Sequence, residues 1–229
     1  MQNRALELLR RDSVAYADMI FPITRGECDI LQADEDGVVL FDRFSGFLFA
    51  KLPNTEGSVQ KLMQVRNARG CYIHSDDLAD RFQKIVRRKK VMRVRQAVYT
   101  AKKAPSEPRV CSVRLLTEAD ADALLKVLPY DEEDVRAAIA LKQMYGAFIG
   151  DEIVGRAGIH REGCMGLLEV AEKYRRRGIG QALDAYVIKE QLSKGLVPYA
   201  QIERDNVAST ELARSLGFEF SDRELTILM

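Results

Sequence analysis

The sequence has no tryptophan, two histidines and four cysteines among its 229 residues. Its cysteines are at least 40 residues apart and none forms a C-x-x-C pair, which argues against a zinc clip and against a dense disulfide framework. With only His74 and His160 available, a histidine-rich metal centre is excluded. We therefore expect no bound metal and a reduced compartment, with the cytoplasm as the default.

Long apolar runs are also missing. None approaches the roughly 18–20 residues that a membrane span needs. The first residues, Met1–Arg4, lead into a charged amphipathic stretch that lacks the apolar core of a signal peptide. Hydrophobic residues make up 47% and charged residues 30%, an ordinary globular composition. We expect no membrane partner, and either one large domain or two small ones.

The net charge of +1 conceals two halves of opposite sign. Residues 1–109 hold 20 Lys and Arg against 14 Asp and Glu, a net of +6, whereas residues 110–229 hold 15 against 20, a net of −5. Opposite signs predict attraction between the halves. Much of the positive excess lies in residues 87–95, which we interpret as the basic end of a helix followed by a strand with a solvated face. Nucleic-acid binding is the alternative, although few aromatic side chains are there to stack on bases.

A linker is predicted at residues 102–108, where two prolines, a serine and charges interrupt the apolar periodicity. We place a boundary there, with an amino-terminal α/β domain at residues 1–108 and a second domain at residues 109–229. Pro22 is expected to stop the first helical segment. The order of helices and strands in the second half repeats much of the first, which predicts an α/β fold with a mixed sheet.

One segment of the second half points to specific chemistry. A strand predicted to end at Val170 leads through residues 175–180, Arg-Arg-Arg-Gly-Ile-Gly, into a helix. The first turn of a helix has N–H groups without partners, and glycines let a ligand approach them. With three arginines, these features predict a diphosphate site. The spacing fits neither a P-loop nor a dinucleotide fingerprint. The alternative is an ordinary helix start with a solvated basic turn.

Asn206 begins a second motif, N-x-x-S-x-x-L-x-x-x-L-G-F, which ends at Phe218. It follows a predicted strand and precedes a helix that is expected to end at Gly217. The side-chain amide can bond an amide-rich ligand with both its C=O and its NH₂ group. A helix cap or turn is the commoner role of asparagine at such a place, and it remains the alternative.

Together, the two motifs and the helix and strand between them resemble the GNAT superfamily of acyl-CoA-dependent N-acyltransferases over residues 111–229. The resemblance implies a mixed, mostly antiparallel sheet flanked by helices, with acetyl-CoA or another acyl-CoA as cofactor. It implies that loop N–H groups hold the diphosphate and that one strand pairs with the pantetheine amides. The cofactor-binding residues that it implies are Leu168, Val170, Arg175, Arg176, Arg177, Gly178, Ile179, Gly180 and Asn206.

Two positions depart from the family pattern. Glu172 stands where many members have proline, and Ala213 stands where many have a tyrosine that protonates the departing thiolate. Thiols titrate at about 8.5, so the thiolate can leave without a donor. Ala213 also keeps open a CoA-binding sensor without turnover as an alternative to an enzyme.

Proton transfer needs a group that leaves the attacking amine neutral. Glu169 and Glu203, at the ends of two neighbouring predicted strands, are the catalytic candidates, with His160 and Tyr199 behind them. The alternative for each is a solvated or core-edge residue. We predict direct attack of a primary amine, on a small molecule or a peptide, on the thioester in a ternary complex.

The first half has no R-x-x-G-x-G motif. By resemblance to tandem, glycine-acyltransferase-like relatives, it is interpreted as a degenerate half of the same fold. We expect that it binds no CoA and shapes the acceptor pocket or a homodimer interface. A nucleic-acid-associated protein using residues 87–95 is the last alternative.

Overall fold

One twelve-stranded sheet runs through the computed structural model, which describes residues 1–229 throughout. The strands are β1 Cys28–Asp34, β2 Gly37–Asp42, β3 Phe47–Lys51, β4 Gly70–Ile73, β5 Val91–Val98, β6 Ser112–Leu115, β7 Met144–Ile149, β8 Glu152–Ile159, β9 Met165–Val170, β10 Tyr199–Glu203, β11 Glu219–Phe220 and β12 Leu225–Leu228. The helices are α1 Gln2–Arg10, α2 Ala17–Arg25, α3 Glu56–Met63, α4 Asp76–Val86, α5 Ala121–Val127, α6 Glu132–Ala140, α7 Ile179–Ser193 and α8 Val207–Leu216.

The strand order is β1-β2-β3-β4-β12-β5-β10-β9-β8-β7-β6, and β11 pairs with β5. All neighbours are antiparallel except β3 with β4 and β9 with β10. Helices cover both faces: α1 and α2 pack on one face of the first half and α3 and α4 on the other. The second half places α7 and α8 opposite α5 and α6. The predicted mixed, mostly antiparallel sheet flanked by helices is confirmed.

Each half contains one parallel strand pair connected by a helix, but the two pairs differ in length. In the first half, β3 and β4 pair through four residues, from Phe47 with Gly70 to Ala50 with Ile73. In the second half, β9 and β10 pair only through Met165 and Ala200. Because the N–H and C=O groups on two separating edges lose their ladder partners, this difference opens a gap in the second half only.

The last strand of each half pairs with strands of the other half. β12, from the end of the chain, lies between β4 and β5 of the first half. β5 in turn pairs with β10 of the second half along five residues. Residues 99–111 hold no helix or strand, as expected of a linker. The boundary near residue 108 stays a prediction, because the sheet continues across both halves.

Pro22 was expected to stop the helical segment and instead lies inside α2, so that expectation is wrong. Proline removes one hydrogen bond and strains the preceding turn. Burial of Met19, Phe21 and Ile23 on this helix offsets that loss, since each is less than a tenth exposed. The helix then ends at Gly26, whose φ of 74° provides a left-handed cap.

Ion pairs connect the two halves, but the charges they join are the reverse of those that the net charges of the halves predict. Arg204 Nη2 lies 2.9 Å from Asp76 Oδ2, and Arg223 Nε lies 2.8 Å from Asp12 Oδ2. Both cations come from the acidic half and both anions from the basic half. Local geometry therefore decides these contacts rather than the overall charge.

Part of the basic run at residues 87–95 is engaged within the first half. Arg88 Nη2 donates to the carbonyl oxygen of Ala68 at 2.9 Å. Arg93 forms ion pairs with Asp76 and Asp80, the latter at 2.7 Å. None of the eight helices combines the length with the apolar composition needed to cross a bilayer.

We expect Ile227→Ala to destabilise the whole chain, because Ile227 on the exchanged strand is only 2% exposed and pairs with Tyr72 and Met92 on two sides. Truncating a buried isoleucine costs about 2–5 kcal/mol, which lowers Tm by roughly 4–20 °C for a protein of this size. Val197→Ala, at a position 54% exposed, is the matched control. Equal melting temperatures for the two variants in calorimetry would contradict the expectation.

Candidate active site

The gap between β9 and β10 forms a cleft of about 520 Å³. From the second half it is lined by Leu168 on β9, Glu203 on β10 and Ala213 on α8, among others. Phe47 and Tyr72 of the first half also line it. The cleft is therefore built by both halves and not by residues 109–229 alone.

The loop between β9 and α7 presents a row of free amide groups. The N–H groups of residues 176–181 donate to no acceptor in the protein. Arg176 and Gly178 have φ angles of 62° and 80°, which turn the loop into the helix. The side chain of Arg175 ties the loop to the strand by donating from Nε to Val170 O at 3.1 Å. At the positive end of a fifteen-residue helix, this arrangement is suited to a diphosphate.

The two glycines of this loop have different structural requirements. Gly178 needs its positive φ, which side chains with a Cβ rarely adopt. Gly180 does not need to be glycine for packing, because a Cβ there would lie 3.7 Å from Leu212 Cδ2, an ordinary contact. Because residue 180 has no Cβ, its backbone N–H group is accessible to a ligand in the cleft.

Strand β9 carries a bulge where it separates from β10. Leu167 has a φ of 55°, which is uncommon for leucine, and the pairing with β8 shifts register at this point. A bulge bends its strand and re-aims the residues that follow. Beyond it, Leu168 and Val170 pack together on the α7 side of the sheet. Strain of this kind is often found at functional sites.

Asn206 lines the cleft and also caps α8. Its Oδ1 accepts a hydrogen bond from Ser209 N at 3.0 Å. Its NH₂ group donates to no protein atom. The cap role considered from the sequence is therefore present, and the amide hydrogens remain available to a ligand.

Glu169 is held by an ion pair on β8. Arg156 Nη2 lies 2.6 Å from Glu169 Oε2, and the two residues face each other across the strand pair. Arg156 is 2% exposed and donates also to Leu128 O at 3.1 Å, and its burial lowers the pKa of the guanidinium. Glu169 is not among the residues that line the cleft. Its catalytic role stays a prediction, and the structure shows a partner for it that the sequence did not indicate.

Glu203 lines the cleft and forms no ion pair. It lies three residues beyond the pair of Met165 with Ala200, level with Leu168 on the facing strand. Of the two catalytic candidates, Glu203 is thus the one that faces the gap. Its catalytic role also stays a prediction.

The two secondary candidates are placed differently. Tyr199 is fully buried, donates from its hydroxyl to Glu162 O at 2.6 Å, and has its pKa raised by burial. It is absent from the cleft lining, whereas His160 is part of it. Ala213 lines the cleft without offering a hydroxyl. The hydroxyls that do line it belong to Tyr72, Tyr130 and Ser209.

Asp184 on α7 is a cleft residue that the sequence analysis missed. It lines the cleft, makes no hydrogen bond or ion pair, and burial raises its pKa to about 7. The available signal was a lone aspartate in the apolar run Ala182–Ile188 of the helix. No motif includes that position, so spacing gave no reason to select it.

We expect the stability of the ligand-free protein to fall as pH rises because of Asp184. An aspartate in the unfolded chain titrates near 3.9, so the folded state with a pKa of about 7 binds the proton more tightly. That contribution is complete below pH 4 and is lost as pH rises through 7. Asp184→Asn should flatten Tm between pH 5 and 8.5 and raise Tm at pH 8 by a few °C.

Asp151→Asn, at an exposed turn position, is the control for this pH series. It should reproduce the pH dependence of the unmodified protein. Parallel Tm curves for Asp184→Asn and the unmodified protein would show that the carboxyl group is solvated.

Three solved structures share this fold across both halves. A protein from Drosophila has a TM-score of 0.63 at 16% identity, covering 100% of this chain and 87% of that chain. A GCN5-related N-acetyltransferase from Kribbella flavida has a TM-score of 0.59 at 13% identity, covering 94% and 93%. A GCN5-related N-acetyltransferase-like protein from Streptococcus suis has 0.54 at 16% identity, covering 98% and 99%. At these identities the likeness shows the fold.

No protein with a curated description matches the sequence. The family model described as acetyltransferase (GNAT) family matches residues 113–218. This range contains the loop of free amides, both edges of the cleft and Asn206. The resemblance stated from the two motifs is confirmed, because the family model places an acetyltransferase (GNAT) domain at residues 113–218 of this chain.

Proposed function

We propose that this chain transfers an acetyl or other acyl group from acyl-CoA to a primary amine by direct attack in a ternary complex. The observation that carries the proposal is the gap between β9 and β10, which is open beyond one residue pair and ends at a loop of free amides. Strand edges without partners suit the amides of an extended arm, and the loop suits its diphosphate.

The dimensions of the cleft agree with this placement. A diphosphate at residues 176–181 directs the attached arm back along Val170 and Leu168 toward the pair of Met165 with Ala200. At about 3.3 Å per residue, the strand from residue 165 to 170 spans about 17 Å. The acyl group of an arm in this gap would stop near the bulge at Leu167.

The chemistry proposed at that point uses backbone donors and a carboxylate. N–H groups of β9 beyond the bulge would polarise the thioester carbonyl and stabilise the oxyanion. Glu203 faces the gap at this level, and Glu169 would reach it only when its ion pair with Arg156 opens. Burial raises the pKa of Cys164 well above its ordinary value, which disfavours a thiolate nucleophile and supports direct attack.

The first half lacks the features of a CoA site. Its parallel pair is closed over four residues, and Thr55 already caps the start of α3 by accepting from Ser58 N. We propose that residues 1–108 form a non-binding unit that completes the acceptor side of the cleft, while residues 109–229 hold the cofactor. The homodimer considered from the sequence stays a prediction.

Cofactor binding can be tested with Gly180→Asp. The added Cβ fits without a clash, and a carboxylate in the first turn of α7 stabilises the helix, but its charge repels a diphosphate. We expect acetyl-CoA affinity in calorimetry to fall at least 50-fold, with Tm unchanged or higher. Gly57→Asp makes the same change in the first turn of α3 and should leave the affinity within twofold.

Turnover separates the enzyme from a CoA sensor, the alternative that Ala213 keeps open. The unmodified protein should release thiol from acetyl-CoA when a primary amine is added, and Gly180→Asp should not at the same coenzyme concentration. Tight binding without thiol release across an amine panel would favour the sensor. No heat with any CoA species would refute both functions.

A further inference from the structure

Glu162, in the turn between β8 and β9, is a buried carboxylate without a cation. Three carboxylate side chains belong to residues less than a tenth exposed: Asp18, Asp42 and Glu162. Asp42 is paired with Arg25 at 3.0 Å, and Asp18 lies 3.1 Å from His74. Glu162 is 6% exposed and forms no ion pair. Burying an anion without a cation is costly, so its presence calls for a reason.

The structure holds Glu162 firmly on one side and leaves the other side open. Tyr72 of the first half donates from its hydroxyl to Oε1 at 3.0 Å. The hydroxyl of Tyr199 donates to the backbone oxygen of Glu162 at 2.6 Å. The second carboxylate oxygen, Oε2, accepts from no protein group. The side chain is therefore positioned by both halves, with one oxygen unused.

Glu162 lines two neighbouring cavities that share six lining residues. One is the cleft between β9 and β10, and the other, of about 410 Å³, lies between α6 and the first half. We call the second cavity the acceptor chamber. The residues lining both are Phe47, Tyr130, Asp134, His160, Glu162 and Leu167. Glu162 precedes the closed end of the gap at Met165 by three residues, so it stands where the chamber meets the expected position of the acyl group.

We propose that Glu162 binds the acceptor amine as its ammonium ion and takes its proton, and that Tyr72 is a positioning residue for this carboxylate. The inference rests on the proposed acyl transfer, assigns the proton to Glu162 in place of Glu203 or Glu169, and adds the charge of the acceptor. It also gives the first half a direct part in the reaction, through the Tyr72 hydroxyl.

The surroundings favour both parts of this role. A carboxylate attracts an ammonium ion and orients it through charge-assisted hydrogen bonds, whereas the imidazole of His160 carries no negative charge in either protonation state. Phe47 and Tyr130 provide aromatic walls. Once the acceptor fills the chamber and excludes water, the low polarity favours the neutral acid and amine over the ion pair. The proton then moves from nitrogen to Oε2.

The step balances in atoms and charge. The ammonium loses one proton to Glu162, and the nitrogen lone pair forms an N–C bond to the thioester carbonyl carbon. Collapse of the intermediate breaks the C–S bond and releases the thiolate, and the nitrogen loses its second proton to that thiolate. Glu162 returns its proton to solvent through the chamber. One proton is released for each ammonium ion consumed.

Other titratable groups face Glu162 or its chamber and would contribute to a pH profile. Asp18 on α2 and Cys164 in the same turn act on the Tyr72 and Tyr199 hydroxyls beside it. The groups lining the two cavities are Arg69, Tyr72, Lys90, Tyr130, Glu133, Asp134, His160, Arg161, Asp184 and Glu203. The contribution of Glu162 to the pH profile of kcat/KM must therefore be taken from the difference between the unmodified protein and a Glu162 variant.

The first measurement is ammonium binding to the complex with CoA, with methylammonium, butylammonium and benzylammonium as probes. Glu162→Gln keeps the shape and an acceptor for Tyr72 but removes the charge. We expect the affinity for the best probe to fall at least tenfold in Glu162→Gln. Glu211→Gln changes an exposed position on α8 outside the cleft, and its affinity for the same probe should stay within twofold of the unmodified protein's. Benzyl alcohol should not distinguish the variants.

The second measurement is thiol release with the same amines from pH 6 to 10. We expect kcat/KM at pH 7 to fall about 100-fold or more in Glu162→Gln, with the deficit shrinking as pH rises and supplies free amine. Tyr72→Phe removes a hydrogen bond that favours the ionised carboxylate, so the acid limb of kcat/KM should move to higher pH. The affinity for acetyl-CoA and Tm report whether each variant is folded.

The outcomes separate the inference from the function on which it rests. If the unmodified protein fails to bind acetyl-CoA, the proposed function fails. If it binds acetyl-CoA but no ammonium probe, or if Glu203→Gln or His160→Gln causes the losses in place of Glu162→Gln, only the inference is overturned. Loss of ammonium binding in Glu162→Gln, with acetyl-CoA affinity intact, supports it.

Discussion

The separation of β9 from β10 after a single residue pair is the constraint on which the site depends. Backbone N–H and C=O groups in the middle of a sheet need partners, and here two facing edges lack them beyond Met165 and Ala200. The first half contains the same strand–helix–strand connection with its strands closed over four pairs. The same strand–helix–strand connection thus gives a closed sheet where its strands pair over four residues, and a slot suited to an amide-bearing ligand where they pair at one.

The slot stays open because other elements hold its two edges. β10 pairs with β5 along five residues, so a strand of the first half supports the edge that β9 leaves free. On the other side, β9 pairs with β8 and bends at Leu167. The first half therefore supports the cleft through its backbone and through Phe47 and Tyr72, and it lines the acceptor chamber through Phe47 and Arg69.

Local signals in the sequence were sufficient to predict the glycine-rich loop of the second half and the helix that follows it. Glycines, arginines and apolar periodicity located the loop at residues 175–180 and the helix after it, because these depend on near neighbours. The extent of strand pairing and the exchange of β12 depend on distant partners and left no local trace. The same holds for Glu169, whose partner Arg156 is on another strand, and for Glu162, a single carboxylate in a turn without a motif.

The exchanged strand has a consequence for biosynthesis. A nascent first half can pair β1 to β4, but β5 pairs only with β10, β11 and β12 of the second half, so the place beside β4 stays vacant until residues 225–228 emerge from the ribosome. About 130 residues separate Val98 from that strand, which at roughly 5–20 residues per second leaves on the order of ten seconds. During that interval the edge of β4 and both edges of residues 91–98 are exposed to other chains, so translation speed and chaperone access should govern the yield of native protein.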